Sequence, residues 1–184
     1  MRIIAGSARG RGLRAPRGLG TRPMADRVKE SVFGILGPPP DGLRVLDLFA
    51  GTGALALESL SRGAHDAVLV ERDVAASKVA LANAAHSGFA DRVRLLRADV
   101  VRVIARLANQ GERFGWIFVD PPYATRDLAD TLARLAETRP FQPEPVVIAH
   151  HMWRNAPADA YGDLRLVDSR RYGQAVIRFY RVIV

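Results

Sequence analysis

The chain has 184 residues, 48% of them hydrophobic and 25% charged, with 27 Lys+Arg against 19 Asp+Glu and no cysteine. That composition suits one globular domain with a continuous core and excludes a disordered chain, while the missing thiols exclude disulfides, thiolate metal sites and cysteine nucleophiles. No apolar run approaches the roughly 18 residues of a membrane span and no signal-like stretch opens the chain, so a cytoplasmic protein without a membrane partner is expected.

The formal charge of +8 is uneven: Met1–Gly37 carries eight basic side chains against Asp26 and Glu30, an excess of six. Base-composition bias accounts for 25 Arg against 2 Lys, but not for their concentration at one end. Such a patch attracts polyanions, and Arg2, Arg9, Arg11, Arg14, Arg22 and Arg27 are the candidate phosphate contacts. Within this head, Arg2–Ala5 and Gly12–Ala15 flank a Gly/Arg turn and predict a hairpin. A helix is predicted over 26–36, with Val28, Val32, Ile35 and Leu36 facing inward, before the Gly37–Gly42 break.

From Leu43 the pattern alternates. Strands are predicted at Arg44–Leu48, Ala67–Val70, Val93–Leu96, Trp116–Val119 and Pro145–Ala149. Helices fall between them over about 53–62, 73–86, 100–108 and 126–137, the second carrying Val74, Lys78, Leu81, Ala82 and Ala85 on one face. Apolar strands in strand–helix alternation indicate an α/β fold with a parallel sheet covered on both faces. Two further β-rich runs, Leu164–Arg170 and Ala175–Val182, close the chain as an antiparallel pair around Tyr172-Gly173.

Asp47-Leu48-Phe49-Ala50-Gly51-Thr52-Gly53 joins the first strand to a helix through a glycine turn, with Glu71 about 20 residues on at the end of the next strand. Gly51-x-Gly53-x-x-Ala56 also fits a dinucleotide fingerprint. Asp47 argues against that ligand, because a carboxylate beneath a pyrophosphate is costly, whereas the ammonium and sulfonium of S-adenosyl-L-methionine would welcome it. Glu71 suits the ribose of either ligand. Asp99, at the end of the third strand, is the candidate acceptor for an adenine amino group and equally a helix N-cap, with the Val100 amide beside it. The cofactor-binding candidates are therefore Asp47, Phe49, Gly51, Thr52, Gly53, Glu71, Arg72, Asp99, Val100 and Asp120.

Asp120-Pro121-Pro122-Tyr123 follows the fourth strand and supplies the catalytic candidates. An exocyclic amine is a poor nucleophile because its lone pair is delocalised into the ring. The Asp120 carboxylate and Pro121 carbonyl, held rigid by two prolines, can accept its N–H bonds and direct the lone pair toward a methyl group. Tyr123 can stack a flipped base. His65, His86, His150 and His151 lack metal spacing, so no metal is expected, and His150-His151 reads as a strand end entering a loop.

D-P-P-Y with D-x-F-x-G-x-G resembles the Rossmann-like, S-adenosylmethionine-dependent amino-methyltransferases. Arg2-Ile3-Ile4-Ala5-Gly6 with Arg9-Gly10-Arg11, Thr21-Arg22-Pro23 with Asp26-Arg27-Val28-Lys29-Glu30-Ser31, the run Leu46–Gly63, and Arg171-Tyr172-Gly173 resemble the RsmD family of 16S rRNA guanine-N2 methyltransferases over essentially the whole chain. The resemblance implies a seven-stranded, mostly parallel sheet with antiparallel C-terminal strands. It implies a division into a basic RNA-binding hairpin extension (1–23) and a methyltransferase domain (24–184), with the Thr21–Pro23 loop closing over cofactor or base. It further implies a monomer that methylates a loop guanine of 16S rRNA (a guanine-966-type site) in the assembled or assembling 30S subunit, leaving S-adenosyl-L-homocysteine. Met24-Ala25 departs from the family's hydroxyl residues. An adenine-N6 DNA methyltransferase, a protein glutamine methyltransferase and a non-catalytic rRNA-binding assembly factor remain as alternatives.

Overall fold

A computed structural model of the chain describes residues 1–15, 26–122 and 125–183, the side chains of 125 and 126 excepted. In chain order the elements are α1 (Asp26–Leu36), β1 (Arg44–Leu48), α2 (Ala54–Ser61), β2 (Asp66–Val70), α3 (Val74–His86), β3 (Val93–Leu96), α4 (Val100–Asn109), β4 (Phe114–Val119), α5 (Thr125–Thr138), β5 (Phe141–Met152), β6 (Ala160–Tyr161), β7 (Leu164–Tyr172) and β8 (Ala175–Val182). One sheet runs β3-β2-β1-β4-β5-β8-β7-β6. β1 to β5 pair in parallel, and β8, β7 and β6 add antiparallel. The seven predicted strands are present, joined by the two-residue β6 at the β7 edge. Tertiary pairing lengthens β5 well beyond its predicted apolar core, on to His150, His151 and Met152 against β8.

Strand alternation divides the core into two layers. Val45, Trp116 and Phe118 face α1, α2 and α3, whereas Leu46, Leu48, Ile117 and Val119 face α4 and α5. Residues 1–15 belong to the first layer. Arg2 bridges Gly12, and Ile3, Ala8 and Leu13 are buried in the same cluster as α2.

Two helix faces differ from the sequence-based expectation. In α1, Ile35 is 42% exposed, and Phe33 goes inward instead. Its ring meets Trp116 edge-on at 5.9 Å and Phe118 at 5.8 Å, an aromatic fit that apolar spacing alone does not distinguish from an isoleucine face. In α3 the face bearing Val74, Lys78, Leu81, Ala82 and Ala85 is exposed, and Ala76, Ser77, Ala80, Asn83 and Ala84 are buried. The reason is close approach. A Cβ built on Gly53 would lie 3.0 Å from Leu69 and 3.6 Å from Ala80, so only small residues fit where α3 meets the glycine turn.

Candidate functional site

Chain order reverses between β1 and β4, and a cavity of about 460 Å³ opens at the carboxyl ends of the strands there. Open α/β sheets hold their ligands in such crevices, and this volume lies in the range of small-molecule sites. Asp47 pairs with Phe118 and Leu48 with Val119, which brings the glycine turn and the Asp120 turn into one space. The cavity is lined by Asp47, Phe49, Gly51, Thr52, Glu71, Arg72, Asp99, Val100, Asp120, Pro121 and Pro122. Gly53 does not line it. It starts α2 at φ 76° and packs beneath the turn. Tyr123 lies outside the described residues.

Asp47 is 2% exposed, and its Oδ2 accepts one hydrogen bond, from the Ala56 amide at 3.2 Å. Burial pushes its carboxyl up to about 8; the Ala56 bond opposes this, and the negative charges of Asp120 and Glu71 add to it. Such a group calls for a cation. Phe49 turns the chain with φ 64°, an uncommon left-handed conformation for an aromatic residue, and Gly51 follows at φ 54° with nothing within 4 Å of where its Cβ would stand. Glu71 holds this turn in place: its Oε2 accepts from the Gly51 amide at 2.8 Å and its Oε1 from the Asp73 amide at 2.8 Å. Each oxygen keeps a second lone pair for a ligand. Asp99 does cap α4, its Oδ1 accepting from the Arg102 amide at 3.1 Å.

Two residues at the cavity carry more than their sequence context suggests. His150 Nδ1 is 2.7 Å from Asp120 Oδ1. Because a carboxylate only accepts, the proton sits on Nδ1. Burial lowers the His150 pKa, but the Asp120 hydrogen bond and charge outweigh it and leave it raised. Thirty residues separate the two in sequence. The signal lay in the strand ends: Val119 pairs with Ala149, so the next residue of each strand falls side by side. His151 differs, with Nδ1 on the Met152 carbonyl at 2.8 Å and its pKa lowered chiefly by burial. Lys29, counted in the basic head, is 1% exposed; its Nζ lies 3.2 Å from Glu58 and donates to the Arg2 carbonyl, at the cavity wall.

The described arginines of the head stand on the surface. Arg2, Arg9, Arg11 and Arg14 are on the hairpin and Arg27 is on α1, all exposed. Arg2 lies 3.8 Å from Asp26, and Arg11 donates to the His86 carbonyl at 2.8 Å. Arg22 and the Thr21–Pro23 loop lie outside the described residues. No group of three or more metal-binding side chains occurs among the described residues, and no described helix is long and apolar enough to cross a membrane.

Residues 1–181 match the family model described as "Conserved hypothetical protein 95". Ribosomal RNA small subunit methyltransferase D of Escherichia coli (strain K12) is 34% identical over 186 residues, covering 98% of this chain and 89% of that protein. YlbH of Bacillus subtilis (strain 168), which carries a provisional name as an rRNA methyltransferase, is 35% identical over 181 residues and 98% of both chains. Among solved structures, yhhF from Escherichia coli, provisionally named a methyltransferase, superposes with a TM-score of 0.86 at 34% identity, over 99% of this chain and 97% of that one. The chain therefore belongs to the conserved hypothetical protein 95 family, the RsmD family of methyltransferases.

Proposed function

We propose that the protein transfers a methyl group from S-adenosyl-L-methionine to the exocyclic N2 amine of a loop guanine in 16S rRNA, a guanine-966-type site, on the assembled or assembling small subunit. The observation that carries this reading is a buried carboxylate, Asp47, without a cationic partner among the described residues, sharing one cavity with the rigid Asp120-Pro121-Pro122 turn. A cationic methyl donor satisfies Asp47, whereas a pyrophosphate would lie beside Asp47, Glu71 and Asp120 together. Family membership and the rRNA methyltransferase name of a full-length relative support the same class of substrate.

When bound, the cofactor supplies an electrophilic methyl on a sulfonium. Asp47 balances its positive charge, Glu71 and Asp99 receive ribose and adenine donors, and Phe49, Gly51, Thr52, Gly53, Arg72 and Val100 shape or support the pocket. Asp120 Oδ2 and the Pro121 carbonyl accept the two N–H bonds of the target amine, which turns its lone pair toward the methyl carbon. Asp120 then takes the proton that the methylated nitrogen gives up. His150 donates to Oδ1, so it fixes the carboxylate and leaves Oδ2 for the amine. Tyr123 stacks the extruded base, residues 1–23 grip flanking phosphates, and the enzyme acts as a monomer.

The test is nucleoside mass spectrometry of 16S rRNA after small subunits from a strain lacking this activity are incubated with protein and labelled cofactor. N2-methylguanosine is expected. Asp120→Ala should lower turnover at least about 100-fold with S-adenosyl-L-homocysteine affinity retained. His150→Ala should cost about tenfold in kcat with little change in KM. His150→Asn, which keeps a donor at the Nδ1 position, should recover most of that loss. Label in adenine of duplex DNA supplied in a parallel reaction would assign the other substrate class, and S-adenosyl-L-homocysteine binding with no transfer to any RNA would leave a non-catalytic rRNA-binding factor.

A further inference from the structure

We infer that Trp153, with Arg154 and Arg171, forms a stacking site for an unpaired nucleotide that flanks the target base. The inference rests on the RNA reading above and extends it to the part of the cavity rim where β5 ends beside the β7–β8 turn. The chain has two tryptophans. Trp116 is buried under Phe33, whereas Trp153 is 41% exposed. An exposed indole by itself says little. This one occupies a particular place: Met152 before it and Asn155 after it both line the cavity. Its backbone amide donates to the Gln174 carbonyl at 2.9 Å, which ties the loop to the β7–β8 turn.

Charge surrounds the ring. The guanidinium carbons of Arg154 and Arg171 each lie 4.9 Å from its centre. Arg171 Nε donates to the Gly173 carbonyl at 2.8 Å, and among the described residues neither guanidinium pairs with a carboxylate. Adjacent Tyr172 shares a hydrogen bond with Ser31 of α1, the helix that carries Arg27 and the cavity-lining Lys29. The two basic surfaces are thus joined through α1 beside one opening. An unpaired base can stack on such a ring by displacing one guanidinium, or on a guanidinium in turn, while adjacent phosphates meet the cations. An acidic peptide would satisfy the arginines and leave the indole unused, which favours single-stranded RNA.

Intrinsic fluorescence tests this directly, because Trp153 is the exposed emitter. Titration with a hairpin RNA bearing a guanine-containing loop should quench the long-wavelength emission, and Trp153→Phe should remove the quench. In anisotropy measurements with labelled RNA, Trp153→Ala should weaken binding about tenfold, and Arg171→Ala should reduce the salt slope by about 0.7. S-Adenosyl-L-homocysteine affinity should not change in either variant. Equal quenching by fully duplex RNA, quenching only by rRNA-free ribosomal proteins, absence of RNA binding, or full RNA affinity in Trp153→Ala would each overturn the site. Methyl transfer without a quench overturns the stacking site alone. A quench with tight binding but no transfer overturns the methyltransferase reading alone.

Discussion

Asp47 is the residue where stability and ligand chemistry oppose each other. Its carboxyl is raised to about 8 from 3.8, so the folded, ligand-free protein holds a proton that the unfolded chain releases near pH 4. The folded state therefore binds more protons across that interval, and its stability falls as pH rises from about 4 to about 8. Asp47→Asn should remove this dependence. It should raise Tm at pH 8, by about 3 °C for each kcal/mol relieved, and abolish cofactor binding; thermal melts at pH 5 and pH 8 measure the first effect. Cation binding must expel the proton, so calorimetry in buffers of different ionisation enthalpy should record net proton release at pH 7 that Asp47→Asn abolishes. Apparent affinity should climb with pH to a plateau near 8.

At the scale of elements, a buried carboxylate and the Ser61 hydroxyl, both of α2, hold the basic hairpin to the first core layer. Glu58 of α2 accepts from the Ile4 amide at 2.7 Å and the Ala5 amide at 3.1 Å, and faces Lys29 at 3.2 Å and Arg62 at 2.9 Å. Gly6 completes the dock, since a Cβ there would stand 1.8 Å from the Ser61 carbonyl oxygen. Asn83 carries the attachment to the glycine turn, donating to the carbonyls of Arg14 and Thr52, both at 3.0 Å. Glu58→Ala leaves the Lys29 ammonium buried and two amides without their acceptor. It should cost about 3–5 kcal/mol, read as a lower urea midpoint with an unchanged m value. Glu58→Gln, which keeps an acceptor, should cost less.

For the molecule as a whole, Arg2, Arg9, Arg11 and Arg14 stand on the surface of a hairpin whose apolar residues Ile3, Ala8 and Leu13 are core. Replacing Arg9 and Arg11 by Ala should weaken RNA association and lower the slope of log affinity against log salt by about 1.4–1.8, two phosphate contacts' worth. Filter binding between low and moderate salt measures this. An unchanged slope would return the arginine excess to base composition. Stability should change little, because both side chains are exposed, the Arg11 bond to the His86 carbonyl lies at the surface, and the Ile4 and Ala5 amides still reach Glu58.

The amino-acid order by itself determined the α/β class, the seven principal strands and the two loops that meet at the switch point. Those features are written locally, in hydrophobic period, glycine turns and a proline pair. It did not reveal that α3 buries alanines and exposes Val74 and Leu81, because an apolar helix looks alike on several faces until a neighbour comes close enough to demand small residues. Nor did it reveal the His150–Asp120 bond or the burial of Lys29 against Glu58. Each joins residues about 30 positions apart whose proximity follows from strand register and helix docking. Local pattern therefore specified the elements, and tertiary packing decided which polar groups lose water and must answer one another's charge.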